Sequence, residues 1–302
     1  MSRAIACVTG GTGMVGRRIV SALLEIGYDV RVLSRQYHAD EPNVTHYKGD
    51  VSDESILVKF IAGAESVFHC AAELNISSAM WQANVIGTEQ ILKACRAEKI
   101  KYFCYMSSAG VVGRTNQKII TEDTLCHPQD DYEHSKLAAE KLVKQGINGA
   151  SVVILRPTNV IDSDRPGALG LAINANIISR LKLFIKGAEC AHIVHADDVA
   201  AAAVFFMGKE FLSPECFFVS CDHELLNTYA GLWALYQAAK AGLPAGKLNF
   251  PLCLPIFVPY LVRKMFRGTG NKGDVRYSSD KLISYGFYFS CGLTEIVRRF
   301  AR

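Results

Sequence analysis

The 302-residue chain has ten cysteines but no CxxC pair, and no His cluster sits at a metal-ligand spacing. Ten thiols are about 3% of the chain, far below a disulfide scaffold, and their spacing excludes a structural zinc or a redox dithiol. Most lie in apolar runs such as CVTG and VFHCAA, where a free thiol behaves as a small hydrophobe. Reduced, buried cysteines and no bound metal are therefore expected. Long apolar runs are also missing. The longest, PLCLPIFVPYLV at 251–262, falls short of the roughly 20 residues that span a bilayer and carries three prolines. Concentrated charge is absent too: 33 Lys+Arg against 29 Asp+Glu give +4, which excludes the basic footprint of a nucleic-acid binder. The chain has no internal repeat and no low-complexity linker. MSRAIACVTG has only a short apolar run before its glycines, so no signal peptide is read there and a cytoplasmic location is expected.

What is present is an ordinary globular composition, 50% hydrophobic and 21% charged. The first two-thirds alternates β-rich runs with amphipathic stretches. Strands are predicted at 4–9, 29–34, 44–48, 65–70, 102–107 and 151–156, and helices at 14–26, 53–62, 80–97 and 131–145. Repeated β-α units with short connections imply a parallel sheet with helices on both faces. After Pro157 the rhythm breaks: 161–170 reads as loop, a helix follows to about 182, and AHIVHADDVAAAAVFFM returns to strand and helix with Asp197 or Asp198 as its N-cap. Beyond 222 the pattern is mostly helical.

Thr9-Gly10-Gly11-Thr12-Gly13-Met14-Val15-Gly16 lies between the first strand and the first helix. Gly10, Gly13 and Gly16 form G-x-x-G-x-x-G, the pattern that lets a pyrophosphate approach backbone at a helix N-terminus. Thr12, Met14 and Val15 complete the candidate cradle. Where an NAD site places an acid after the second strand, this chain has Ser34-Arg35. A guanidinium suits a 2′-phosphate, so Arg35 implies NADP as the preferred cofactor, with NAD as the alternative. Arg17 is a second basic candidate.

Tyr132-Glu133-His134-Ser135-Lys136 is Y-x-x-x-K on a predicted helix, which puts Tyr132 and Lys136 one turn apart on one face. An ammonium beside a phenol lowers the phenol's pKa and equips it as an acid or base. Ser107-Ser108-Ala109 closes the fifth strand, and a hydroxyl there can orient a substrate carbonyl.

Taken together, TGGTGMVG (9–16), GDVSD (49–53), HCAA (69–72), NVIGT (84–88), YMSSAGVVG (105–113), YEHSK (132–136), LRPTNV (155–160) and VHADDVA (194–200) resemble the extended short-chain dehydrogenase/reductase superfamily, in its NDP-sugar epimerase/dehydratase branch. The resemblance covers essentially the whole chain. It implies an α/β Rossmann fold, a doubly wound parallel sheet with a small, mostly helical C-terminal substrate lobe. The dinucleotide-binding domain is expected at 1–160 with 191–221 returning to the sheet, and the lobe at 161–190 and 222–302. The resemblance further implies Tyr132 as general acid/base, Lys136 on the nicotinamide ribose, and Ser108 (with Ser107 second) on the reacting oxygen. Asp50 and Val51 fall at the adenine, Ala71, Ala72, Pro157 and Val160 along the cofactor, and Asn84 as a support of the site. Asn159, Arg165 and Arg276 are candidate substrate residues. His195, Asp197 and Asp198 match a motif whose role is packing and capping. The branch's tyrosine is missing from Gly110-Val111-Val112-Gly113 and from Val160-Ile161-Asp162.

The implied chemistry is hydride transfer at a carbinol or carbonyl carbon. Ser107-Ser108-Ala109-Gly110 lacks the acidic pair of a dehydratase, leaving an epimerase or a reductase, and Arg35 tilts the reading to a reductase. A nucleotide sugar is the expected substrate, with Arg165, Lys182, Lys186, Arg263, Lys264 and Arg276 as diphosphate partners. The charge supports it: residues 251–302 hold nine Lys/Arg against three Asp/Glu, leaving 24 against 26 for the rest. Two alternatives stand. One is a ketoreductase on an apolar substrate, like dihydroflavonol reductases and 3β-hydroxysteroid dehydrogenases; the other is a non-catalytic dinucleotide sensor. The segment 255–268 is read as a helix covering the lobe or a dimer contact, with a membrane-surface helix ending in Arg263, Lys264 and Arg267 as the other reading. The branch often forms homodimers through the helices that fall here at 80–97 and 131–145.

Overall fold

The computed structural model describes residues 3–174, 176–243, 248–267 and 272–301. The chain alternates strand and helix from its start: β1 (Ile5–Thr9), α1 (Gly16–Glu25), β2 (Asp29–Ser34), β3 (Val44–Lys48), α2 (Glu54–Ile61) and β4 (Ser66–His69). It continues with α3 (Ser77–Trp81), α4 (Gly87–Glu98), β5 (Tyr102–Met106), β6 (Ile119–Ile120), α5 (Asp131–Val143) and β7 (Ser151–Pro157). Then follow β8 (Asn159–Ile161), α6 (Gly170–Ile173), α7 (Ile177–Lys186), β9 (Ile193–His195), α8 (Ala196–Phe205) and β10 (Glu215–Val219). Last come α9 (Tyr229–Lys240), α10 (Phe257–Arg267), β11 (Arg276–Tyr277), α11 (Asp280–Ser284) and α12 (Leu293–Ala301).

Seven strands form one sheet in the order β10-β7-β5-β4-β1-β2-β3. β1 pairs in parallel with β2 and with β4, and the register places Thr9 beside both Leu33 and His69. Parallel βαβ units place helices on both faces of the sheet, so its central strands are enclosed: β5 is buried at every residue. One face packs Leu57, Phe60, Ile91, Cys95 and Val143 of α2, α4 and α5 against Phe103 and Ile154 of the sheet. Because the strands are parallel, their C-terminal ends share one edge. The turns after β1, β2, β4 and β5 therefore gather there, where ligands of this fold bind.

The chain divides into two compact units. The first comprises 1–113, 128–156 and 199–217, the second 114–127, 157–198 and 218–302. Of the 191–221 stretch expected to return to the sheet, β10 does so, but β9 pairs with β8 in a separate two-stranded sheet. A second small sheet joins β6 to β11.

Three local expectations change. The helix expected at 80–97 is interrupted by a π turn at Gln82–Ile86, between α3 and α4. The stretch 161–170 is not all loop, since it includes the end of β8 and a 3-10 turn at Gly167–Leu169. Asp197 and Asp198 lie inside the first turn of α8 rather than at its N-cap. The Asp198 carboxylate instead accepts the amides of Ser290 at 2.8 Å and Cys291 at 3.2 Å. All ten cysteines are free; Cys7, Cys95, Cys104, Cys221 and Cys291 are buried and the others half-buried.

Candidate active site

The first unit builds the cradle from the glycine loop. Gly10 has φ of 66°, and a Cβ there would lie 2.9 Å from the Ala71 amide nitrogen. A Cβ on Gly16, the first residue of α1, would fall 2.2 Å from the Gly10 carbonyl oxygen. Gly13 donates its N–H to that same oxygen at 2.9 Å. Thr12 and Gly13 are exposed, Met14 and Val15 half-buried, and α1 has no acid in its first turn. The helix start thus offers amides and a positive dipole end with no nearby carboxylate of its own to oppose an anion, which fits a dinucleotide pyrophosphate.

Behind this loop runs a buried hydrogen-bond chain. His69 bonds Thr9 Oγ1 at 2.7 Å and Thr88 Oγ1 at 3.0 Å. The Thr88 hydroxyl donates to the Asn84 carbonyl at 2.6 Å, so it must accept from His69 Nε2–H. The Thr9 hydroxyl accepts the Ala71 amide at 3.2 Å and so is left to donate to Nδ1. One neutral tautomer satisfies every partner. Burial keeps it neutral by pushing the His69 pKa down to about 3, with the nearby Lys136 charge adding to the effect.

Asn84, in the π turn, is the second support. Its Oδ1 accepts the Glu73 amide at 2.7 Å, while its Nδ2 donates to the Glu73 carbonyl at 3.0 Å and to Ser135 Oγ at 2.9 Å. It therefore ties the segment following Ala71 and Ala72 to α5. The Glu73 carboxylate accepts from the amides of Leu74, Asn75 and Ile76, whose hydrogen bonds hold its pKa below the usual carboxylate range.

Arg35 follows β2 as expected, and it pairs with Glu73 at 3.4 Å while its side chain stays 72% exposed. Ser34 is engaged in its own turn, donating to the Gln36 carbonyl at 2.7 Å. Asp50 likewise accepts locally, from the Ser52 amide at 2.9 Å and hydroxyl at 2.7 Å. Val51 is buried, and Gly87 of α4 lies so close to it that a Cβ there would meet Val51 Cγ2 at 2.5 Å.

The two serines after β5 separate cleanly. Ser107 turns inward and donates to Glu140 Oε1 at 2.5 Å. That carboxylate also receives Arg156, Nε at 2.9 Å and Nη2 at 2.7 Å, both side chains being almost wholly buried. Ser108 accepts the Gly110 amide at 3.1 Å, and its hydroxyl lies by the Tyr132 phenol and lowers its pKa. Ser108 is thus the hydroxyl placed at the candidate reacting group, and Tyr132 is half-buried beside it.

The expected effect of Lys136 on Tyr132 is not what the structure shows. Lys136 Nζ donates to the Met106 carbonyl at 2.5 Å and lies 4.3 Å over the Tyr105 ring. Burial dominates both groups: it raises the Tyr132 pKa, opposed by the Ser108 hydrogen bond, and lowers that of Lys136 to about 8.

The remaining candidates belong to the second unit. Pro157 is buried and Val160 half-buried. Asn159 donates to the Ala191 carbonyl at 2.7 Å, Arg165 is exposed, and Arg276 is half-buried. His195, Asp197 and Cys291 bring ligand-type atoms within 4.8 Å of one another. Arg299 sits 3.2 Å from the Asp197 carboxylate and His195 Nδ1 accepts the Asp197 amide at 3.2 Å, so the group is already neutralised by protein partners. His69, Glu73, Glu140 and Arg156 escaped the sequence reading. Arg156 in the apolar strand SVVILRP, and Glu140 one turn beyond Lys136, were the available signals.

A model of the NAD dependent epimerase/dehydratase family matches residues 6–218. The chain is 28% identical over 281 residues to the sterol-4-alpha-carboxylate 3-dehydrogenase (decarboxylating) of Mus musculus, covering 87% of this chain and 76% of that one. It is 28% identical over 333 aligned positions to an anthocyanidin reductase of Vitis vinifera, covering 96% and 92%. The fold matches a short-chain dehydrogenase/reductase superfamily protein of Agrobacterium tumefaciens solved with NAD bound, at TM-score 0.75 and 21% identity over 98% of this chain and 96% of that one. With the glycine cradle and the Ser108–Tyr132 pair on the same sheet edge, the chain belongs to the NAD dependent epimerase/dehydratase family, an NAD-dependent enzyme of the extended short-chain dehydrogenase/reductase superfamily.

Proposed function

We propose that the chain is a reductase or dehydrogenase acting at a carbinol/carbonyl carbon of a small molecule, with Tyr132 as general acid/base and Ser108 holding the reacting oxygen. The observation that carries this reading is the Ser108 hydroxyl, turned out of the core at the end of β5 beside the half-buried Tyr132 phenol, whose pKa it lowers. When bound, a nicotinamide dinucleotide supplies the hydride donor or acceptor. Tyr132 then gives its Oη proton to the developing alkoxide, or takes the proton of a substrate hydroxyl in the reverse direction. Burial raises the phenol's pKa, so Tyr132 holds its proton at neutral pH until a reacting oxygen takes it.

Arg35 supports NADP as the preferred dinucleotide, with NAD second. Its ion pair with Glu73 is long, at 3.4 Å, and exposed on the Arg35 side, so a 2′-phosphate can compete for the guanidinium. Equal affinity for NADPH and NADH in a titration would refute the preference. A homodimer through α4 and α5 belongs to the same reading and is checked by light scattering.

For the substrate, a nucleotide sugar remains the first reading, resting on the C-terminal cations. One observation favours an apolar alcohol or ketone: Arg263, one of those cations, is already paired with Glu189. The sterol and anthocyanidin names of the relatives point the same way. A turnover screen of UDP- and dTDP-sugars against hydroxysteroids separates the classes. On the active substrate, Tyr132→Phe is expected to lower kcat by about 10²–10⁴-fold while NADPH binding persists. Unchanged turnover would refute the role of Tyr132.

A further inference from the structure

Helices in water-soluble folds normally hide their apolar stripe. In the second unit, α7 and α10 turn one outward. On α10, Phe257, Leu261 and Met265 recur every fourth residue and are 58%, 55% and 74% exposed. On α7, Ile177, Ile178, Leu181 and Ile185 are exposed while Ser179 and Leu183 face inward. The two helices are neighbours: the Leu254 amide, just ahead of α10, donates to the Phe184 carbonyl of α7 at 2.7 Å. Between them lies an almost wholly apolar groove of about 470 Å³, lined by Ile185, Leu254, Val258 and Val262, with Lys186 and Arg263 also contributing.

The charge on these helices is of one sign. α7 carries Arg180, Lys182 and Lys186, α10 carries Arg263, Lys264 and Arg267, and neither has an acidic residue. The Arg267 side chain lies outside the described residues. Arg263 is held by Glu189.

We propose that α7 and α10 form a face that seats on an anionic lipid bilayer, its aliphatic and Phe side chains entering the headgroup boundary and its lysines meeting lipid phosphates. Apolar residues flanked by cations are the composition that binds such an interface. A second copy of the chain is a poorer occupant, because self-pairing would set one basic face against another with no acid on either helix. No single described helix is long and apolar enough to cross a bilayer.

The test is co-sedimentation of the full chain with vesicles of phosphatidylcholine alone and of phosphatidylcholine with an equal share of phosphatidylglycerol. Binding is expected to the anionic vesicles and to fall with salt. The triple change Phe257→Ser, Leu261→Ser and Met265→Ser should abolish it without altering the thermal melt, since these side chains are exposed. Lys182→Gln, Lys186→Gln and Lys264→Gln should each weaken partition by about fivefold. Absence of binding to either vesicle overturns the proposal, as does a triple serine variant that binds like the parent. A dimer in light scattering that the serine variant splits, with no vesicle binding, would assign the face to self-association instead.

Discussion

Lys136 is buried on every side, and its chemistry sets a cost that can be measured apart from catalysis. Its ordinary pKa of 10.5 falls to about 8 in the fold because burial disfavours the ammonium, even with Glu140 nearby favouring it. That gap corresponds to about 3 kcal/mol of folding free energy. Below pH 8 the amine is protonated in both the folded and the unfolded chain, and the whole cost is present. Between pH 8 and 10.5 the folded chain has released the proton while the unfolded chain still holds it, so stability rises with pH and the cost vanishes above 10.5.

Lys136→Met removes the ammonium and keeps the apolar stem. Loss of the Met106 hydrogen bond subtracts about 1 kcal/mol, so a gain of about 2 kcal/mol at pH 7 is expected. At roughly 2–4 °C per kcal/mol for a chain of this size class, the melting temperature should rise by about 4–8 °C. At pH 10 most of the Lys136 cost has gone, so the variant's advantage should shrink by about 2 kcal/mol. The assay is urea unfolding of parent and variant across that pH range, with turnover measured alongside. A variant less stable than the parent at pH 7, or a difference that does not change with pH, would refute the reasoning. Turnover should fall sharply despite the added stability, because a methionine cannot hydrogen-bond a ribose.

Gly16→Ala should abolish dinucleotide binding in a fluorescence titration, since a Cβ would meet the Gly10 carbonyl 2.2 Å away and force the loop open. Glu140→Gln should cost about 3–5 kcal/mol in chemical unfolding, because it leaves the Arg156 guanidinium buried beside a neutral amide. The double variant Glu140→Leu with Arg156→Met should recover most of that loss, and failure to recover would assign the cost to packing rather than charge.

What was legible in the sequence is what depends on local spacing. The glycine loop could be read because each glycine is required by atoms within a few residues or on the next strand, and Y-x-x-x-K because four residues make one helical turn. The π turn at Gln82–Ile86 could not be read. It adds one residue to a helical turn without any sequence signature, and its reason lies in Asn84 reaching Glu73 and Ser135 from the same position. The Met106 contact of Lys136 is hidden from the sequence for a related reason. Spacing places it one turn from Tyr132, but the Met106 carbonyl that captures it comes from a strand some thirty residues earlier.

Ser107 and Ser108 show where the two kinds of information meet. Successive residues of an extended chain point to opposite sides, and Ser108 keeps extended angles, φ −153° and ψ 144°. One hydroxyl therefore had to face the interior and the other the site, and the sequence shows only that much. The choice is made by Glu140, whose carboxylate lies inside the fold with Arg156 and has one further hydrogen bond to accept. A hydroxyl buried without that acceptor would cost about 1–3 kcal/mol, so the interior ion pair fixes the register at which β5 ends. Fixing Ser107 inward also fixes Ser108 outward against Tyr132. The buried pair that touches no ligand thus positions the hydroxyl that does.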